Sequence, residues 1–89
     1  MKTIVDNENL ISRYLFADDY PVNVTEQNIQ VGDPDNLDFI VGDLNNSNAT
    51  LIENVTEPDD WYGCKYIYEN GAWSANPDWI DPRVSESNP

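Results

Sequence analysis

The sequence predicts a small all-β protein: an antiparallel meander, sandwich or barrel-like sheet that a C-terminal aromatic hairpin closes. Turn signals recur about every ten residues along the chain, which is the spacing of short strands in all-β domains. Eleven of the seventeen acidic residues are Asp, and Asn is also abundant. Both residues bond nearby backbone N–H groups with their short side chains, and they therefore favour turns over helix interiors.

The first strands are predicted from alternation and from the turn residues between them. Residues 3–5 allow a short strand. Residues 8–17 are ambiguous, because apolar positions recur at helical spacing while alternate positions also form the pattern of a two-sided strand. Asp18-Asp19 then indicates a turn, and the Val-x-Val pattern within residues 21–25 indicates another strand. We therefore favour strand, turn and strand over a helix in this part of the chain.

A short repeat marks the middle of the chain. Val31-Gly32-Asp33 recurs ten residues later as Val41-Gly42-Asp43, and each copy indicates a strand that ends in a Gly-Asp turn. Strands are therefore expected at three places, residues 28–32, 38–42 and 49–55. Pro58 lacks a backbone donor and restricts the residue before it, so the last of these strands should end ahead of it.

Residues 61–79 contain six of the ten aromatic residues and the clearest turn signal of the chain. Asn70 and Gly71 tolerate the positive φ angles that a two-residue type I′ turn requires. Such a turn sets three cross-strand pairs, Glu69 with Ala72, Tyr68 with Trp73 and Tyr66 with Ala75. Tyr66, Tyr68 and Trp73 then share one face of the hairpin, and we expect these three rings to lie inside the core.

The chain of 89 residues has room for one domain, which we place at residues 1–82, followed by a polar tail at residues 83–89.

Charge limits the classes of partner. Seventeen acidic residues against four basic ones give a net charge of −13. This charge argues against direct binding of nucleic acid through its phosphates and against docking on an anionic membrane. A basic protein surface is a compatible partner, and solubility alone is the plainer explanation.

The reactive side chains argue against an enzyme. The chain has no histidine, which removes the commonest general base, catalytic triads and most zinc sites. Cys64 is the only cysteine, and we expect it to pack as a small apolar residue. The densest acids, at residues 33–38 and 59–60, are better explained as solvated turn residues than as a calcium site, since no EF-hand pattern is present. We expect no catalytic residue, no cofactor and no metal site.

Binding through aromatic side chains is the more plausible activity. Trp and Tyr are enriched at interface hot spots and at stacking sites. A domain this poor in Leu, Ile and Phe also needs aromatic residues in its core, so only some of them are free to bind. We expect Trp61, Tyr62 and Trp79 to contribute a partner-facing edge. A carbohydrate-binding surface would use exposed tryptophans in the same way and is kept as an alternative.

The aromatic segment resembles a pattern in short proteins of tailed bacteriophages. From Trp61 to Trp79 it reads Trp-Tyr-Gly-Cys-Lys-Tyr-x-Tyr-x-Asn-Gly-x-Trp and ends in Asn-Pro-x-Trp. Small β-rich phage proteins, some of them tail-associated or involved in tail-fibre assembly, end in a similar aromatic hairpin. The likeness covers residues 61–79 only. It implies a phage origin and leaves open whether the protein acts in the particle or in the host.

These observations lead to an expected function and an alternative. We expect a non-enzymatic structural or tail-associated virion protein, or its assembly factor, that docks on other phage structural subunits or forms a homo-oligomer. The alternative is an acidic phage inhibitor that mimics nucleic acid and binds a basic host protein, although the acids are spread evenly along the chain. Residues 1–7 lack the apolar run of a signal peptide, and no segment is long enough to cross a bilayer. We therefore expect the protein in the virion or the host cytoplasm.

Overall fold

The computed structural model describes residues 1–80, which form eight β-strands and no helix. The strands are β1 (Lys2–Asp6), β2 (Ser12–Phe16), β3 (Val22–Val24), β4 (Ile29–Asp33), β5 (Asn36–Val41), β6 (Ala49–Ile52), β7 (Tyr66–Glu69) and β8 (Ala72–Ala75). The all-β prediction is confirmed, and the ambiguous segment 8–17 forms strand β2 as favoured. The predicted tail at residues 83–89 lies outside the described residues.

Strand β6 is shorter than the sequence pattern predicts. It ends at Ile52 rather than at residue 55, because Asn54 adopts a φ of 59°. This left-handed conformation interrupts an extended strand. The Asn54 N–H donates to Asp18 Oδ1 at 3.2 Å, and the Val55 N–H donates to the Met1 carbonyl at 2.8 Å. The chain thus leaves the sheet early and is fastened to the N-terminal region.

The strands form three antiparallel sheets. The N-terminal sheet has the order β2-β1-β6, the middle sheet has the order β3-β4-β5, and the hairpin sheet consists of β7 and β8. None of the three is closed among residues 1–80, so the barrel-like form of the prediction is not confirmed. The C-terminal hairpin forms a sheet of its own and closes neither of the other two.

The core lies between the N-terminal sheet and the middle sheet. Ile4 comes from the first of these sheets, Ile29 and Val31 come from the second, and all three are fully buried. Partly buried rings of β2 and the following turn border this cluster, namely Tyr14, Phe16 and Tyr20. The two three-stranded sheets therefore share one buried core.

The hairpin has the predicted register but a different place in the fold. Asn70 and Gly71 occupy the turn with φ angles of 53° and 79°, and the three predicted cross-strand pairs are present. The expectation that Tyr66, Tyr68 and Trp73 lie inside the core is wrong. These rings are half-buried and pack on one another, with the Trp73 ring centroid 4.6 Å from Tyr68 and 6.2 Å from Tyr66. Aliphatic side chains of β1, β4, β5 and β6 and of Leu44 fill the core, so the hairpin aromatics form a separate cluster.

A β-bulge is present at the first copy of the Val-Gly-Asp repeat and absent at the second. The register of β4 against β5 shifts after Val31, which leaves Asp38 as the extra residue of β5. Gly32 lies in this bulge with a φ of 112°, and a Cβ atom there would come within 2.6 Å of the Asp38 backbone nitrogen. Gly42, the equivalent glycine of the second copy, lies in the turn after β5 with open space around it. Only the first glycine is required by its surroundings.

Candidate docking site

The hairpin is attached along the outer edge of β2. The Cys64 N–H donates to the Ser12 carbonyl and the Tyr68 N–H donates to the Leu10 carbonyl, each at 3.0 Å. Ile67 also forms an isolated antiparallel bridge with Ile11, just ahead of β2. These contacts place the aromatic C-terminal region beside the N-terminal sheet, although the two are about fifty residues apart in sequence.

Trp61 is anchored by a chain of buried hydroxyl groups. Its Nε1 donates to Ser12 Oγ at 3.0 Å, and the oxygens of Ser12 and Thr3 lie 2.6 Å apart. The Thr3 hydroxyl donates its single proton to the Tyr14 carbonyl at 2.7 Å. Ser12 must therefore donate to Thr3, which fixes the direction of every bond in the chain. Both hydroxyl residues are fully buried, so the loop that carries Trp61 is held firmly against the N-terminal sheet.

Tyr62 and Trp79 form a pair of neighbouring rings, which we call the aromatic pair. Their centroids lie 5.9 Å apart with the planes tilted by 56°, and Tyr62 is 38% exposed. Trp79 is half-buried, and its Nε1 donates to the Gly63 carbonyl at 3.2 Å. The ammonium group of Lys65 lies 5.2 Å from the centroid of the Trp79 ring, within the range of a cation–π contact. Of the three predicted site residues, the structure thus brings two together, while Trp61 fixes the loop beside them.

A hydrogen-bonded network supports Lys65 from the other side. Lys65 Nζ donates to Asp60 Oδ2 at 2.9 Å, and the Tyr66 hydroxyl donates to Asp60 Oδ1 at 2.5 Å. The bond from Lys65, and then the bond from Tyr66, lower the pKa of Asp60 below its ordinary value of 3.8. The Asp60 carboxylate in turn raises the pKa of Tyr66 above 10.0. At neutral pH Asp60 is charged and Tyr66 is protonated, which is the state that holds the network together.

An open cleft of 410 Å³ lies at the tip of the hairpin. Apolar side chains of Val5, Leu10, Ile52 and Tyr68 form part of its lining. The rest of its lining comprises Asn7, Thr50, Glu69 and the two turn residues of the hairpin, Asn70 and Gly71. This size suits a small ligand or a side chain of a docked partner.

Two of the acids that were weighed as a cation site, Asp33 and Asp60, are engaged in local bonds. Asp33 Oδ1 accepts the Asp35 N–H at 2.9 Å and closes the turn between β4 and β5. Asp60 belongs to the network with Lys65. Across residues 1–80, no three Asp, Glu or Cys side chains gather in an arrangement suited to a metal ion. In the same residues there is no helix of the length and apolar character that spans a membrane.

Phe39 and Ile40 are surface residues that the sequence interpretation missed. They are 42% and 52% exposed on β5, the strand predicted at residues 38–42. The Phe39 ring centroid lies 6.1 Å from Tyr14 and 6.4 Å from Phe16, at the rim of the core. A signal was present, because adjacent strand residues point to opposite faces and two consecutive large apolar residues cannot both face one core.

The described residues combine several features that are common at binding surfaces. The described site offers prearranged aromatic side chains, a cleft and an apolar strand edge on an acidic molecule, all of them features of binding surfaces. No protein-family model, curated protein or solved structure matches this chain.

Proposed function

We propose that this chain is a non-enzymatic docking protein, either a structural or tail-associated component of a bacteriophage particle or a factor that assembles one. The observation that carries the proposal is the aromatic pair of Tyr62 and Trp79. Trp79 is held before any partner arrives by its bond to Gly63 and by the Lys65 ammonium group, and the Tyr62 ring packs against it. A contact surface that is already ordered loses little conformational freedom on binding, and Tyr and Trp are enriched among hot-spot residues.

The phage setting is supported by the resemblance of residues 61–79 to the C-terminal hairpin of small phage proteins. The partners on this proposal are other phage structural subunits, and the protein resides in the virion or, as an assembly factor, in the host cytoplasm. Docking uses the aromatic pair, while the network of Asp60, Lys65 and Tyr66 keeps the surrounding loop in place.

Mass spectrometry of purified particles of the encoding phage tests this proposal. A structural component is expected in a fixed ratio to the known subunits of the particle. In a second step, phage carrying Tyr62→Ala should incorporate less of the chain, whereas Asp78→Ala, which changes an exposed neighbour of Trp79, should not. Absence of the chain from wild-type particles, combined with expression early in infection, would remove the structural role.

One observation favours the acidic inhibitor as a second candidate. Residues 14–64, which include the whole middle sheet, contain eleven acids and neither Lys nor Arg. Three of these acids, Asp18, Asp43 and Asp60, are paired with cations from outside the segment. The other acids would attract basic nucleic-acid-binding proteins of a host. Such binding should weaken about tenfold or more when salt rises from about 50 to about 500 mM, because screening acts on exposed charges. Binding that ignores salt would eliminate this candidate.

A further inference from the structure

Strand β5 is the longest open edge in the described part of the chain. It has six residues and is the last strand of the middle sheet, and no strand of residues 1–80 pairs with its outer side. The opposite edge strand, β3, has only three residues. In the N-terminal sheet, β6 has four residues, and the edge of β2 is partly covered by residues 64–68. An unpaired edge of this kind presents backbone N–H and C=O groups to another chain.

Apolar side chains flank this edge on both faces. Among residues 1–80 the large apolar side chains that are exposed are Phe39, Ile40, Tyr62 and Ile80, and the first two are adjacent on β5. Phe39 lies on the inner face against Tyr14 and Phe16. Ile40 lies on the outer face, where its cross-strand partner is the polar Gln30. A strand added beside β5 would place side chains next to both, because its own residues alternate between the same two faces.

Charge decides which strand fits. The middle sheet lies wholly within residues 14–64, so none of its own residues is Lys or Arg. Asp33, Asp35 and Asp38 are exposed at or beside the end of β5 that follows the β4–β5 turn. A second copy of this chain would bring the same acids together and is repelled. A segment with Lys or Arg around an apolar centre meets both the acids and the two apolar side chains.

We propose that β5 binds an extended, basic segment of another protein, which adds to the middle sheet as a further strand. Backbone hydrogen bonds along the edge supply affinity, and contacts with Phe39, Ile40 and the acids supply specificity. The inference rests on the docking function proposed above, but it assigns a second surface that shares no residue with the aromatic pair. The partner is therefore recognised by backbone pairing together with charge.

A capped nonapeptide with three central valines and three lysines on each side is a suitable probe. Added to the ¹⁵N-labelled full chain, it should shift the amide signals of residues 36–41 and bind about tenfold more weakly to Ile40→Ser, because burial of one Ile side chain is lost. The matched variant Ile80→Ser changes an apolar residue that is 75% exposed elsewhere and should bind as the wild type does. Replacing every lysine of the peptide by glutamate should abolish the shifts.

A second peptide separates strand addition from simple attraction. N-methylation of the three valines removes their hydrogen-bond donors while it keeps the charge, so binding should fall at least about tenfold. Equal binding of the methylated peptide, an unchanged affinity of Ile40→Ser, or shifts confined to residues outside β5 would each overturn the inference. Loss of particle incorporation in Tyr62→Ala with no peptide binding to β5 would leave the docking function and remove this inference alone. Peptide binding at β5, combined with absence of the chain from particles, would leave this inference and remove the structural role in the particle.

Discussion

At the residue scale, two buried hydroxyl groups connect the C-terminal region to the N-terminal sheet. Thr3 and Ser12 relay hydrogen bonds from the Trp61 indole to the Tyr14 carbonyl. A buried polar group is tolerated only when its hydrogen bonds are made, and no buried side-chain nitrogen or oxygen in residues 1–80 lacks a partner. The relay therefore stabilises the fold and orients Trp61 at once.

Thr3→Val should destabilise the protein by about 1–3 kcal/mol, because it keeps the shape of the side chain but leaves the Tyr14 carbonyl and the Ser12 hydroxyl short of a partner. Urea unfolding measures the loss. Thr50→Val is the control: its hydroxyl bonds to Asn7 at the surface, and the expected loss is below about 0.5 kcal/mol. In a double-mutant cycle with Trp61→Phe the effects should not add, and strict additivity would speak against a connected relay.

Asp60 should make the hairpin region sensitive to acid. Its folded-state pKa is lowered, first by Lys65 and then by Tyr66, so its contribution is present above pH 3.8 and is lost as pH falls through the folded value. The pKa of Tyr66 is raised, so its contribution is present below pH 10.0 and is lost as pH rises through the folded value. Both contributions to stability should therefore be present between pH 3.8 and pH 10.0.

The substitution Asp60→Asn tests this coupling directly. It should bring the pKa of Tyr66 down towards 10.0, as followed by the NMR signal of its hydroxyl-bearing ring carbon. Asp59→Asn removes the same charge one residue away without breaking the bond to Tyr66 and should leave that titration where it is. A Tyr66 titration that is the same in both variants would show that the hydrogen bond is not its cause.

At the element scale, the bulge between β4 and β5 makes the fold sensitive to substitution of Gly32. Gly32→Ala should cost about 1–3 kcal/mol or more, because a φ of 112° and a contact of 2.6 Å with the Asp38 nitrogen leave no room for a side chain. Gly42→Ala meets nothing within 4 Å and should change the unfolding free energy by less than about 0.5 kcal/mol. Similar melting temperatures for the two variants would contradict the bulge geometry.

The hairpin should open without unfolding the two three-stranded sheets. Trp73 packs on Tyr66 and Tyr68, and its Nε1 donates to the Thr56 carbonyl at 2.6 Å, but it is not part of the buried core. Trp73→Ala should therefore remove hydrogen-exchange protection from residues 66–75 and preserve it at Ile4 and Ile29. Ser74→Ala, an exposed change on the same strand, should preserve both. Loss of protection throughout the chain in Trp73→Ala would show one cooperative unit instead.

Local signals explain which elements were predictable from sequence. Asn70-Gly71 determines a two-residue turn and with it the pairing of β7 and β8, so this register was predicted correctly. The pairing of β6 with β1 joins residues more than forty positions apart, and no local pattern encodes it. The same holds for the site. Residue type singled out Trp61, but its role depends on Ser12, which is 49 residues away. The hairpin aromatics were wrongly predicted to lie in the core because their place in the fold also depends on contacts with residues distant in sequence.

At the scale of the whole molecule, the basic side chains of residues 1–80 belong to the N-terminal sheet and the hairpin region. Arg13 pairs with Asp6 and Asp43 at 3.3 Å each, and Lys65 pairs with Asp60. Arg13 and Lys2 belong to the N-terminal sheet and Lys65 to the hairpin region, whereas the strands of the middle sheet contain no Lys or Arg. Repulsion between the exposed acids Asp33, Asp35 and Asp38 should keep the open β5 edges of two molecules apart.

Self-association should therefore appear when the charge is removed. Near the isoelectric point of about 4.1 expected from the composition, the net charge falls towards zero, and the exposed pair of Phe39 and Ile40 is free to drive edge-to-edge contact. Sedimentation velocity should show monomers at pH 7 and larger species near pH 4. Ile40→Lys should suppress the larger species and Ile80→Lys should not. Association that is equal in both variants would place the contact elsewhere.

The lack of cations in the middle sheet also governs how the chain is cut. Trypsin cleaves after Lys and Arg, so the unfolded chain has no tryptic site between Arg13 and Lys65. Digestion releases residues 14–65 as one long, acidic fragment that contains β3 to β6 and the last three residues of β2. Proteases that cut at Asp or Glu divide the same region many times. Peptide surveys of phage particles or infected cells would register this protein far more readily after digestion at acidic residues than after trypsin.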